Sequence, residues 1–315
     1  VVPEEQPFFS FDDWFIGTTV MDLGTLKSTS DYTLKFNYNN IQSLEELFLK
    51  YKDQIACVIM EAATNLKPCN ETCDTSVKCN ICLNNSDNFL IKVQNLCRKN
   101  GAVFILDEMI TGFRWDLHGA QSYYNIEPDL CTFGKAMANG FAVAALGGKK
   151  EIMNMGSILD EGKERLFLTS TTHGAEMSGL GAFLKTIEIL KRDSVIDHFW
   201  NYGKKLISSA NDIFQEYGIS NYIKFEGYHC SPNYITRGVN GEISFEMRTL
   251  FAQEMINNGV MMPYIALSAS HKENELDQTI TAIRNSAKVY TNALNDGVSK
   301  FLKSTTIKPV FRKNN

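Results

Sequence analysis

The chain has 315 residues, 44% of them apolar and 21% charged, with a formal net charge of -5. That length can bury a sizeable core in one large or two moderate domains, and the composition is globular, not disordered or fibrous. The negative balance argues against a nucleic-acid partner. No apolar run nears the ~18 residues of a membrane span, and Val1-Val2-Pro3-Glu4-Glu5 lacks the basic-then-apolar form of a signal peptide. A cytoplasmic location is expected.

Residues 8–17 form an aromatic cluster, FFSFDDWFIG. Residues 40–52 carry an amphipathic helical pattern, with Ser43 and Glu46 spaced as a capping box. An apolar run at 55–60 predicts a buried strand ending at Glu61. The polar loop at 66–85 then holds Cys69, Cys73, Cys79 and Cys82 in the spacing C-x3-C-x5-C-x2-C. Four thiolates could close a structural zinc site. Reduced free thiols are the equal alternative, and two disulfides would need an oxidising compartment. A structural role is expected in each case.

The spacing predicts a helix over 89–100, ended by Asn100-Gly101. Val103 to Leu106 is short, apolar and free of turn residues, which predicts a strand buried on both faces. With the strand at 55–60 it makes a βαβ unit, so the two are expected to run parallel. Asp107 and Glu108 follow at the strand's C-terminal end, the edge at which open α/β sheets bind ligands. After an irregular stretch at 111–124, residues 129–133 predict another strand, with Gly134 leaving room for close approach and Lys135 just beyond. Residues 141–148 read as an antiparallel return strand turning at Gly147-Gly148, and a helix begins at 149. A hydroxyl-rich stretch, LFLTSTTHG at 166–174, leads into a helix at 174–190.

From residue 191 the pattern changes to helix 194–217, short strands at 223–225, 233–236 and 243–245, and helices at 246–258 and 273–297. The division is therefore a large domain at 1–190 of α/β class, with a mostly parallel sheet, and a smaller α+β domain at 191–315.

A lysine and a carboxylate past the ends of neighbouring strands suit one chemistry well. The lysine can form a Schiff base with an aldehyde, and the carboxylate can keep a pyridine nitrogen protonated. That is the protein's half of pyridoxal 5'-phosphate chemistry.

The same stretch resembles the class III aminotransferases, the pyridoxal-phosphate enzymes of the glutamate-1-semialdehyde aminotransferase type. The signature stands here as Asp107-Glu108-Met109-Ile110-Thr111-Gly112-Phe113-Arg114, then Pro128-Asp129, then Gly134-Lys135. The likeness runs from about Trp14 to Arg312. It implies the type I aminotransferase fold, pyridoxal phosphate as cofactor, Lys135 as the Schiff-base lysine and Asp107 as the pyridine partner. Met109 would pack on the ring. Phe8 aligns with the family's stacking aromatic, although a plain aromatic cluster explains it equally. Thr172, with Thr171 one residue away, aligns with the threonine that reaches the phosphate of the other subunit, which implies a homodimer. Tyr264, Ser268 and His271 fall in a segment that lines the substrate side in the family.

The family's Ser/Gly-Thr-Glu-Ala helix start, which cradles the cofactor phosphate, has no counterpart here, so the chain reads as lacking that N-terminal segment. The implied function moves an amino group between an amino acid and an aldehyde or keto acceptor, either a semialdehyde or a keto-sugar. Decarboxylation or racemisation is possible in the same fold. The alternative is a catalytically silent homologue serving as a binding or scaffolding subunit, with zinc at the cysteine loop.

Overall fold

The computed structural model describes residues 1–6, 19–24, 30–63, 66–68, 88–157, 159, 161–164, 166, 174 and 176–310. The chain forms two compact units, Val1–Asp193 and Ser194–Val310. Among the described residues no helix is long and apolar enough to cross a membrane.

The first unit contains β1 (Val2–Pro3), β2 (Lys35–Phe36), α1 (Ile41–Lys50), β3 (Cys57–Glu61), α2 (Phe89–Asn100), β4 (Val103–Asp107), α3 (Ala120–Tyr124), β5 (Leu130–Phe133), β6 (Ala145–Gly148), α4 (Lys150–Met153) and α5 (Met177–Arg192). Four strands form one sheet in the order β3-β4-β5-β6. β3, β4 and β5 are parallel, and β6 runs antiparallel to β5.

Period-2 alternation sets the faces of this sheet. Val58, Met60, Phe104 and Leu106 are at most 1% exposed. Their neighbours Cys57, Ile59, Val103 and Ile105 are half-buried. β4 is thus fully buried on one face only, where its apolar run had suggested both. α2 packs on β4 and α1, and buries Leu90, Val93 and Cys97 completely.

Caps fix the helix starts. The Asn88 side chain accepts from Leu90 N–H at 2.8 Å, and Gly101 ends α2 in the left-handed region at φ 67. For α1 the capping box is displaced. Asn40, not Ser43, is the cap and accepts from Ser43 N–H at 3.2 Å, while the Ser43 hydroxyl donates to Asn40 O at 2.7 Å. Gly147 and Gly148 also differ from expectation, because they lie within β6 opposite Cys131 and Leu130. A Cβ on Gly148 would collide with the Asp129 carbonyl oxygen, so this glycine serves close strand approach, not a turn.

The second unit contains α6 (Val195–Glu216), β7 (Ile223–Tyr228), β8 (Ser231–Thr236), α7 (Phe245–Asn257) and α8 (Glu273–Asp296). β7 and β8 pair antiparallel from Ile223↔Thr236 to Tyr228↔Ser231. Phe214, Phe225, Tyr234 and Phe251 pack an aromatic core between hairpin and helices, with centroids 5.3 to 6.3 Å apart among the contacting pairs. The strand expected at 243–245 is not formed. Ile243 makes a single bridge to Arg237, and Ser244 caps α7 by accepting from Met247 N–H at 3.1 Å. A serine ahead of a helical stretch offers its oxygen to orphan N–H groups, and here the cap outcompetes the strand.

Candidate active site

The site is built from the C-terminal ends of β4 and β5. Parallel pairing sets Asp107 directly opposite Thr132. Lys135 stands three positions past Thr132 on the same edge, at the start of a single 3-10 turn, Lys135–Met137. The two residues singled out from sequence therefore leave adjacent strands at one end of the sheet.

The Asp107 carboxylate is held through one oxygen. Oδ1 accepts from Met109 N–H at 2.8 Å and from the Thr132 hydroxyl at 3.3 Å. Oδ2 takes no hydrogen bond among the described residues. A carboxylate anchored on one oxygen and open on the other suits a cationic N–H partner. Lys135 makes no hydrogen bond or ion pair among the described residues, and it is exposed although it sits between two small-residue stretches. Its backbone lies in the left-handed region, at φ 42. A β-carbon there costs about 1–2 kcal/mol, and such strain concentrates at functional positions.

Met109 packs its thioether on Gly134. A Cβ at that position would overlap the Met109 sulfur. Met109 thus fills the space beside Lys135's own backbone. Phe113, also in the left-handed region at φ 60, has Phe133 and Phe183 at centroid distances of 5.5 and 6.2 Å. Gly179 of α5 lets that helix approach Ala142 and Val143.

Sequence reading left Glu108 without a role, and the structure supplies one. Glu108 is 1% exposed, and its carboxylate accepts from the Thr111 hydroxyl, from Ala120 N–H at 2.9 Å and from Gln121 N–H at 2.8 Å. It anchors both ends of the loop that follows β4 and covers the start of α3. Burial, the largest influence, pushes its carboxyl above the ordinary range, against those three donors and with the help of the neighbouring Asp107 charge. Asp129, from the Pro-Asp of the signature, ties the strand starts together. It accepts from Phe104 N–H at 2.7 Å and pairs with Lys149 at 2.6 Å. Burial raises its carboxyl, but these partners together outweigh that and hold it below the ordinary value. Thr132 was also missed, because a threonine in a strand is unremarkable until the register is known.

Phe8, Thr171, Thr172 and the four cysteines Cys69, Cys73, Cys79 and Cys82 lie outside the described residues. Among the described residues no cluster of His, Cys, Asp and Glu could hold a metal ion. Cys57, Cys97 and Cys131 are free thiols, and burial pushes Cys97 up to about 12. In the second unit, Tyr264 and His271 line a cavity of about 420 Å³ together with Tyr202 and Met261. Ser268 is engaged locally. Its N–H donates to His271 Nδ1 at 3.3 Å, and its hydroxyl accepts from Ser270 N–H at 3.2 Å.

The family model for class-III aminotransferases matches residues 11–267. The chain belongs to the class-III aminotransferase family. It is 31% identical over 261 residues to glutamate-1-semialdehyde 2,1-aminomutase of Francisella tularensis subsp. tularensis, covering 79% of this chain and 56% of that protein. It is equally 31% identical, over 255 residues, to 3-aminobutyryl-CoA aminotransferase of Cloacimonas acidaminovorans, covering 80% and 57%. The chain thus spans about half the length of the curated relatives it matches. Among solved structures, the internal aldimine form of the Sphingopyxis sp. MTA144 FumI protein superposes with a TM-score of 0.76 at 20% identity, over 94% of this chain and 66% of that one. An omega-transaminase from Sphaerobacter thermophilus does so with a TM-score of 0.68 at 21% identity, over 87% and 60%. This class-III chain therefore has the type I fold of the pyridoxal-phosphate-dependent aminotransferases, as the signature implied.

The residues present fit that cofactor. A carboxylate with one free oxygen and a lysine with no other partner stand on neighbouring strand ends, and nothing among the described residues competes for either group. The silent-homologue alternative gains no support from the comparisons, and they name no zinc.

Proposed function

We propose that this chain carries the lysine and the carboxylate of a pyridoxal-phosphate-dependent aminotransferase or aminomutase. The reading rests on one observation, the emergence of Asp107 and Lys135 from adjacent parallel strands, with Asp107 Oδ2 taking no hydrogen bond among the described residues. When bound, pyridoxal phosphate supplies an aldehyde for an amine and a protonated ring that delocalises the electron pair left on a substrate carbon. Asp107 would hold the ring-nitrogen proton through Oδ2. Lys135 would hold the cofactor through Nζ, and its amine would serve as the general base and acid that removes a proton from the substrate carbon and returns one. Met109 would pack beside the ring, and Phe8 is the residue proposed to stack on it.

The substrates proposed are an amino-acid donor such as glutamate and an aldehyde or keto acceptor, with a semialdehyde or a keto-sugar as the candidates. The semialdehyde is supported by the name of the Francisella relatives. Residues 1–190 serve as the cofactor-binding domain and 191–315 as the small domain. Thr172 serves the phosphate held by a second copy, which makes the working form a homodimer.

The test is an absorbance titration with pyridoxal phosphate. A band near about 420 nm that Lys135→Ala erases is the expected result. No band at any cofactor concentration would defeat the reading and favour a binding or scaffolding role.

A further inference from the structure

We propose that Thr132 is a positioning residue for Asp107, setting which carboxylate oxygen faces the pyridine nitrogen. The inference rests on the cofactor reading above and deepens it. In the parallel pair, residues in register share a face of the sheet, so Thr132 and Asp107 stand side by side where the strands end.

Two donors converge on Oδ1, the Met109 N–H at 2.8 Å and the Thr132 hydroxyl at 3.3 Å. Met109 comes from Asp107's own segment, two residues on, and moves with it. Thr132 comes from the neighbouring strand, so it ties the carboxylate to the sheet. Its backbone is pinned within the strand pair, because the Thr132 carbonyl accepts from Glu108 N–H at 2.9 Å. A β-branched side chain on a pinned strand has few rotamers, so the hydroxyl is held where it is needed. With Oδ1 occupied twice and Oδ2 taking no hydrogen bond among the described residues, Oδ2 is the oxygen that would face a ligand.

At 3.3 Å the hydroxyl contact is longer than the ~2.7–2.8 Å of a good O–H···O bond, so its effect is modest. Loss of a hydrogen bond to a charged group, scaled down for that length, corresponds to about a three- to tenfold change in affinity.

The experiment uses the full chain, pyridoxal phosphate labelled with ¹⁵N in the ring, and the variants Thr132→Val, Thr132→Ala and Thr132→Ser. Two quantities are measured, the cofactor dissociation constant by absorbance titration and the ring-nitrogen ¹⁵N shift between pH 6 and 9. Wild type is expected to keep the ring nitrogen protonated across that range. Thr132→Val should weaken binding about three- to tenfold and bring deprotonation of the ring nitrogen into the range. Thr132→Ser should restore both. In an Asp107→Asn background, Thr132→Val should change neither. Should Thr132→Val fail to fold, Thr132→Ala is read in its place.

Wild-type values for binding and ¹⁵N profile in the folded variant would overturn the role of Thr132. So would a weakened affinity that persists undiminished in the Asp107→Asn background, which would mark a merely structural loss. If wild type itself gives no lysine-dependent band, the cofactor reading fails first, and the role of Thr132 falls with it.

Discussion

Gly119 lies against the carboxylate of Glu108, so closely that a Cβ there would stand 2.5 Å from Oε1 and 2.8 Å from Oε2. The glycine is also at φ 85, where a side chain is strained. The two residues are interdependent. The carboxylate reaches Ala120 and Gln121 N–H only because nothing projects from position 119. Gly119→Ala should therefore destabilise the protein by about 2 kcal/mol or more, by moving a buried charge off its donors. Urea unfolding followed by tryptophan fluorescence reads this, and a loss under about 0.5 kcal/mol would show that the loop absorbs the methyl group.

Glu108 should also leave a mark on the pH dependence of stability. Its folded carboxyl lies above the ordinary glutamate value of 4.5 because it is buried. The folded state therefore binds the proton more tightly than the unfolded state, and the stability this confers is complete below 4.5 and lost as pH rises through the folded value. Melting temperatures of wild type and Glu108→Gln from pH 4 to 7 isolate the effect. The wild-type advantage should shrink, or its deficit grow, as pH rises. A difference that is flat or moves the other way contradicts the assignment.

Asp129 predicts the opposite slope. Lys149 and the Phe104 N–H hold its carboxyl below the ordinary value of 3.8, so its contribution is present above that value and lost as pH falls through the folded one. Asp129→Asn should cost about 1–3 kcal/mol at neutral pH, from a charge-assisted hydrogen bond joining two strand starts. The penalty should narrow toward pH 3. Equal penalties at pH 7 and pH 3 would mean that the ionised form is not what matters.

The cysteine spacing gives a metal prediction that rests on sequence alone. If Cys69, Cys73, Cys79 and Cys82 bind zinc as thiolates, purified protein should hold about one zinc per chain. The joint change Cys79→Ser with Cys82→Ser should remove it. Metal-free protein with four titratable thiols in that loop would establish the reduced-thiol alternative.

Much of the framework was legible from local pattern. The helix expected at 89–100 runs from Phe89 to Asn100, because an asparagine cap and a terminal glycine mark both ends chemically. The strands before Glu61 and Asp107 were readable as apolar runs bounded by acids. Local pattern failed where two local solutions competed and packing chose between them. Asn40 displaced Ser43 as a cap, Ser244 became a helix start, and Gly147-Gly148 became strand residues pressed against β5. Each case turned on a neighbour distant in the chain or on a choice between equally good polar groups.

For the site, the sequence by itself determined the participants, a carboxylate and a lysine at the ends of successive apolar runs within a family signature. Only the tertiary structure decided how they are held. It made Glu108, the carboxylate beside Asp107, a buried anchor for a loop, and it engaged only one oxygen of Asp107 among the described residues. The reason is register. Thr132 is 25 residues from Asp107 along the chain, and nothing local at either position says that they share a face until β4 and β5 pair.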